Sequence, residues 1–368
     1  MSQIYPSGLK GIKKIAVLRA NALGDLIFVL PAIRALKESY PEAELIYLGN
    51  LWHKTFLEGR PGWIDKVYVV PKWNGIPHES DKVEDTREAD SFFNRMQEEK
   101  IDIAFQMHGG GRNSNPFVLN LGAKLTVGLQ TKDAPPLDIN IPYYLYQNEI
   151  FRYLEVVSKV GAKTAHLSPE LKVTHADMDA LFSKTGDLKR PFIILHPGAS
   201  DIRRRWPVEK FAEVGNHLAS KGFFIYITGT VKEIDLTEKL NELLDFKGSN
   251  LTNKITVNEL LALCSKAALI ISNDTGPLHL SRAVNTANIG IYWGANLVTA
   301  GPVKMENAVT CSDWSINCPL CGVDCTIENF NMLQCAHDTS FINKVTVDEV
   351  KKHAEFLLME SEKKLMIC

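Results

Sequence analysis

The stretch Leu269-Ile270-Ile271-Ser272-Asn273-Asp274-Thr275-Gly276-Pro277-Leu278-His279-Leu280 decides how the chain is read. Its apolar run predicts a buried parallel strand, and residues 273–277 break that strand before a helix beginning at Leu278. Pro277 has no N–H to offer. The amides of Gly276, Leu278 and His279 are expected to be free at the positive end of the helix dipole, where they suit a phosphate. An ordinary strand-to-helix turn capped by Asp274 or Thr275 fits the same residues.

Outward from this stretch the same alternation repeats. Upstream lie a strand at 191–196, the turn Pro197-Gly198-Ala199-Ser200, a helix over 208–220, a strand over 223–228, and helices from about Lys232 and over 257–266; a strand over 289–293 follows. An earlier series has strands at 13–20, 44–48, 66–70, 101–107 and 125–129, with helices at 26–39, 90–99 and 148–160. Residues 131–142 are rich in Pro and Asp and read as a loop. Two such series predict an α/β chain of two Rossmann-like domains facing a central cleft, with ligands at the carboxyl ends of the strands. The polar segment 162–190 contains the boundary. The expected division is 1–165, 166–345 and a terminal helix over 346–368, in which Thr346 and Glu349 form a capping box.

Composition narrows the partners. A net charge of −2 gives no electrostatic case for nucleic acid. No apolar run reaches the roughly 18 residues of a membrane span, and the first residues lack a signal core. The expectation is a cytoplasmic protein, with contact at a membrane surface left open. Seven cysteines are present, and five of them crowd into 311–335, which in a reducing compartment favours metal over disulfides. Cys318, Cys321, Cys325 and Cys335 can close on one tetrahedral ion, with Gly322 easing the turn. The expectation is a structural zinc or iron, held in a knuckle with no open position for catalysis.

Residues at the strand ends form two groups. Asn21, Gly24, Asp25, His108, Gly109 and Arg112 belong to the first series. Ser200, Arg203, Arg204, Arg205, Glu233, Asp274, Thr275, Gly276, Pro277, Leu278 and His279 belong to the second. Acid and histidine on one side, with cations and a helix N-terminus on the other, suit transfer from a diphosphate-linked donor: the acceptor hydroxyl needs a base and the leaving diphosphate needs positive partners. On local grounds the position of Asp25 before Leu26 also permits a helix N-cap, and Glu233 fits equally well a first-turn acid complementing a dipole.

Residues 18–48, LRANALGDLIFVLPAIRALKESYPEAELIYL, resemble the opening of the family 9 glycosyltransferases, the lipopolysaccharide heptosyltransferases. HPGAS with RRRWP, TGTVKE, NDTGPLHLSRAV and IGIYWG continue the resemblance in order, from about Lys13 to Pro302. It implies the GT-B fold, a terminal helix crossing back to the first domain, and inverting transfer of a heptose or related sugar from an ADP-sugar to an acceptor hydroxyl without a catalytic metal. The acceptor is a glycolipid, a protein or a small molecule. The resemblance makes Asp25 the base, puts Arg204 and then Arg205 on the diphosphate, gives Glu233 the ribose, and places His108 and Arg112 on the acceptor side. It also relates the cysteine knuckle to the cysteine-bound iron of some protein-modifying heptosyltransferases. A sugar-nucleotide epimerase and a non-catalytic nucleotide-binding protein are the other classes that fit two such sheets.

Overall fold

The computed structural model describes residues 8–76, 86–245, 248–325, 335 and 337–367. They form two compact units, Met1–Lys172 and Val173–Cys368.

The first unit runs β1 (Lys14–Leu18), α1 (Leu23–Ser39), β2 (Glu44–Gly49), α2 (Leu51–Leu57), β3 (Lys66–Val69), α3 (Thr86–Glu98), β4 (Ile103–Gln106), α4 (Ser114–Leu119), β5 (Leu125–Gln130), β6 (Ile139–Pro142) and α5 (Glu149–Ser158). Its six strands are parallel in the order β3-β2-β1-β4-β5-β6. Ile15, Ala16, Val17 and Leu18 of β1 are fully buried, as an apolar strand covered on both faces must be. The expected loop at 131–142 ends instead as β6, where Val127 registers with Ile139. An edge strand accepts Pro142 because its missing N–H faces no further neighbour.

The second unit runs α6 (His175–Thr185), β7 (Phe192–His196), α7 (Val208–Ser220), β8 (Phe224–Ile227), α8 (Ile234–Leu243), β9 (Ser249–Asn250), α9 (Val257–Lys266), β10 (Leu269–Asn273), α10 (Gly276–Ala283), β11 (Asn288–Trp293), α11 (Gly294–Ala300), β12 (Ala308–Asp313) and α12 (Val347–Ile367). The strand order is β12-β11-β10-β7-β8-β9. Counted from its own first strand, each sheet has the 3-2-1-4-5-6 order of a dinucleotide-binding fold, and the order reverses between β1 and β4 and between β7 and β10. Ligands of such sheets gather at the carboxyl ends of those strands.

Trp206 is 1% exposed in the second unit's core, its Nε1 donating to the Val345 carbonyl at 3.0 Å. Val350, Ala354, Leu357 and Leu358 of α12 are buried in the same core. These residues pack against α7 and the second sheet.

Candidate active site

In the first unit the side chains collect where the strand order reverses. The helix after β1 starts earlier than the sequence suggests: Ala22 is its N-cap, and Asp25 is the third helical residue. Asp25 is therefore not the N-cap. Its Oδ2 accepts from the Ala22 amide at 3.0 Å, and its Oδ1 accepts from Arg19 Nη2 at 2.5 Å. Arg19, 3% exposed, also donates to the Met107 carbonyl at 2.8 Å and lies 3.4 Å from Glu149 Oε2. Glu149 in turn holds Arg152 and the Tyr153 hydroxyl. A buried cation, fixed by a backbone carbonyl and shared between two acids, thus orients a carboxylate whose side chain remains 30% exposed. Sequence reasoning missed Arg19, Glu149, Arg152 and Tyr153; Glu149 carried a signal as the first-turn acid of α5, but nothing tied it to Arg19.

His108 follows β4 and is 6% exposed. Its Nδ1 accepts from the Ala20 amide at 3.2 Å and its Nε2 lies 3.3 Å from the Gly75 carbonyl, so both ring nitrogens are occupied and the proton sits on Nε2. Burial, helped by the nearby Arg19 charge, pushes its pKa down to about 4, so the ring is neutral at pH 7 and acts as a brace. Asn21 Oδ1 is buried and has no hydrogen-bond partner among the described residues. Gly109 has φ +63° with open space where a Cβ would stand. Arg112 is exposed and lies 3.5 Å from Asp133. The polar run Asn113, Ser114 and Asn115 enters α4, with Ser114 and Asn115 buried, rather than forming a flexible loop.

In the second unit the groups named from the sequence surround the ends of β7, β8 and β10. Asn273, fully buried at the end of β10, accepts from the Trp206 amide at 3.0 Å and donates to the Pro197 carbonyl at 2.7 Å, so one side chain ties three loops together. A single 3₁₀ turn, Ile202–Arg204, presents the arginines. Arg204 donates to Ser200 Oγ at 2.9 Å and to Asp274 Oδ2 at 3.2 Å, while Arg205 donates to the Ala199 carbonyl at 2.8 Å. Arg203 pairs with Asp201. Burial pushes the Asp274 carboxyl up, but its bond to His279 Nε2 at 3.1 Å, with Arg204 and Arg282 nearby, outweighs this and holds it below the usual carboxylate range. His279 is thereby a partner of Asp274.

The turn itself departs from expectation in one respect. Thr275 is the N-cap and the helix begins at Gly276, earlier than Leu278, with Pro277 in its first turn and no side-chain cap. The Leu278 and His279 amides already donate to the Thr275 carbonyl, at 3.1 and 3.4 Å, so neither is free as expected. Glu233 forms a capping box with Thr230, whose amide and hydroxyl lie 2.8 and 2.9 Å from its Oε2. A Cβ on Gly198 would fall 1.9 Å from Glu233 Oε1, so the Gly is needed for this carboxylate to sit against the β7 turn.

The cysteine knuckle is a short turn in which Gly322, at φ +74°, donates to the Cys318 carbonyl at 2.9 Å. Cys318, Cys321, Cys335 and His337 place one ligating atom each within 4.8 Å of one another. Cys325 is not in this group, its thiol donating to the Val323 carbonyl at 3.4 Å, and His337 takes the place expected for it. The span 326–334 lies outside the described residues. Burial raises the Cys318 thiol, but bonds from the Cys321 and Leu320 amides and from neighbouring thiols win and bring it down to about 6. Three sulfurs and an imidazole nitrogen form a donor set that fits a structural tetrahedral metal. Phe341, a few residues on, donates its amide to the Arg203 carbonyl at 2.9 Å.

Comparison with known proteins bears on the family and the fold. The model of glycosyltransferase family 9 (heptosyltransferase) matches residues 90–328. The lipopolysaccharide core heptosyltransferase OpsX of Haemophilus influenzae is 24% identical over 318 residues, covering 81% of this chain and 84% of that protein. The structure of the E. coli ADP-heptose lipopolysaccharide heptosyltransferase II superposes with a TM-score of 0.74 at 17% identity, covering 95% of this chain and 99% of that one. The iron-containing dodecameric glycosyltransferase TibC of enterotoxigenic E. coli has the same fold at a TM-score of 0.53 and 13% identity, covering 96% and 78%. Among the described residues no helix is long and apolar enough to cross a membrane.

Proposed function

Because the chain belongs to glycosyltransferase family 9, the heptosyltransferases, we propose that it moves a heptose from ADP-heptose to an acceptor hydroxyl with inversion, and that Asp25 is the base. The observation that carries this reading is the setting of Asp25: a partly exposed carboxylate, fixed by Arg19 and the Ala22 amide, at the point where the first sheet's strand order reverses. The acceptor oxygen attacks the anomeric carbon as its proton passes to the Asp25 carboxylate. The bond from that carbon to the diphosphate oxygen breaks, and ADP leaves with the electron pair. One displacement needs one base and a stabilised leaving group.

The second unit supplies the latter. Arg204, held between Ser200 and Asp274, and Arg205 beside it offer N–H donors to the diphosphate, with the Gly276 amide at the start of α10. Glu233 accepts from the ribose. On the acceptor side, the Asn21 Oδ1, unpartnered among the described residues, and the open backbone at Gly109 make room for a hydroxyl-bearing molecule, while His108 braces the strand ends. Zinc or iron at Cys318, Cys321, Cys335 and His337 braces the second unit without touching the reaction. A cytoplasmic, reducing setting suits such thiolate ligands.

The test is a product search with ADP-heptose and candidate acceptors. Heptosylated acceptor and ADP in equal amounts support the reading. Release of a changed sugar without acceptor, or binding without turnover, overturns it.

A further inference from the structure

Cys311, like Cys325, is left out of the knuckle. It lies fully buried on β12, the edge strand of the second sheet. Glu349 and His353 lie four residues apart on α12, so both project from the same face of the helix. The Cys311 Sγ, a Glu349 carboxylate oxygen and a His353 ring nitrogen all lie within 4.8 Å of one another.

Thr346 and Glu349 were expected to form a capping box, and half of it is present: the Glu349 amide donates to Thr346 Oγ1 at 3.2 Å. The Glu349 carboxylate lies near the Cys311 thiol, and its charge, after burial, helps push that thiol's pKa up. The side chain is thus turned inward to the sulfur.

We propose that Cys311, Glu349 and His353 form a second cation site, shared by no residue of the knuckle, for a divalent ion of the zinc class. With bonds of about 2.3 Å to sulfur and about 2.0 Å to nitrogen and oxygen, a tetrahedral ion holds these ligands roughly 3.3–3.5 Å apart. Half-buried Glu349 and His353 close the remaining distance by moving about an ångström. Thiolate and imidazole together select zinc-like ions over magnesium or calcium. Binding releases the Cys311 proton to solvent, forms the sulfur–metal bond, and leaves the fourth position to water. The ion would pin α12 to the sheet edge.

The experiment uses the full chain carrying Cys321→Ser and Cys335→Ser, stripped with a chelator and titrated with Co²⁺. The expected result is one equivalent bound with a thiolate-to-cobalt charge-transfer band, weakened at least about 100-fold by His353→Ala and abolished by Cys311→Ser. Absence of the band, or the same affinity in His353→Ala, overturns the proposal. Should the knuckle variant fail to fold, elemental analysis of the zinc-loaded natural chain decides. Two equivalents that fall to one in His353→Ala support the site; an unchanged count overturns it.

Discussion

Asp25 has two partners that fix its direction and none that hides it, and this sets what its replacement should do. Asp25→Asn keeps the size and the helix position but cannot take a proton, so kcat is expected to fall at least about 100-fold with little change in the donor's KM. Initial rates at saturating donor check this; kcat within a few-fold of the parent removes Asp25 as base. Arg204→Ala should act on both constants if, as proposed, Arg204 holds the donor diphosphate both bound and leaving; unchanged kinetics would remove it from that site. His108 makes a different, pH-dependent prediction. Its folded pKa, about 4, lies below the unfolded value near 6.5, so the stability it contributes is complete above pH 6.5 and is lost as pH falls toward 4. Over that window the loss amounts to at most about 3 kcal/mol. Urea titrations of His108→Gln at a series of pH values should therefore give a flatter curve between 4 and 6.5, and an equally steep one would refute the assignment.

At the scale of elements, the loops after β7 and β10 and the arginine turn depend on Asn273. Asn273→Ala leaves the Trp206 amide and the Pro197 carbonyl unpaired in a buried place. The expected cost is about 1–3 kcal/mol in chemical denaturation, with a raised donor KM because the arginine turn is no longer anchored. An unchanged midpoint would show that the loops hold themselves. The central strands of both sheets were legible because their apolar runs are long and closed by Gly or Pro turns, and α7 and α9 show clear helical periodicity. What escaped had physical reasons. β6 is short, ends at Pro142 and survives only by pairing with β5. α6 buries little beyond Asp177 and Leu181, so its apolar stripe is faint; its Thr174–Asp177 capping box was the available signal. His337 is invisible to cysteine spacing, and the sequence does not say which side chain a turn will bring back to a sulfur.

For the molecule as a whole, α12 is part of the second unit's core, so its packing sets that unit's stability. Leu357→Ala should cost about 2–5 kcal/mol in the transition of the second unit, a loss readable by circular dichroism. The Phe341 amide, bonded to the Arg203 carbonyl, links the segment just after His337 to the back of the arginine turn. That bond has a preparative consequence. Protein purified in strong chelator, or left to oxidise in air, is expected to lose nucleotide affinity before it loses its fold, and a batch so handled will be mistaken for one lacking the right sugar donor. Keeping the buffers reducing and free of chelator is therefore part of any fair search for the substrate.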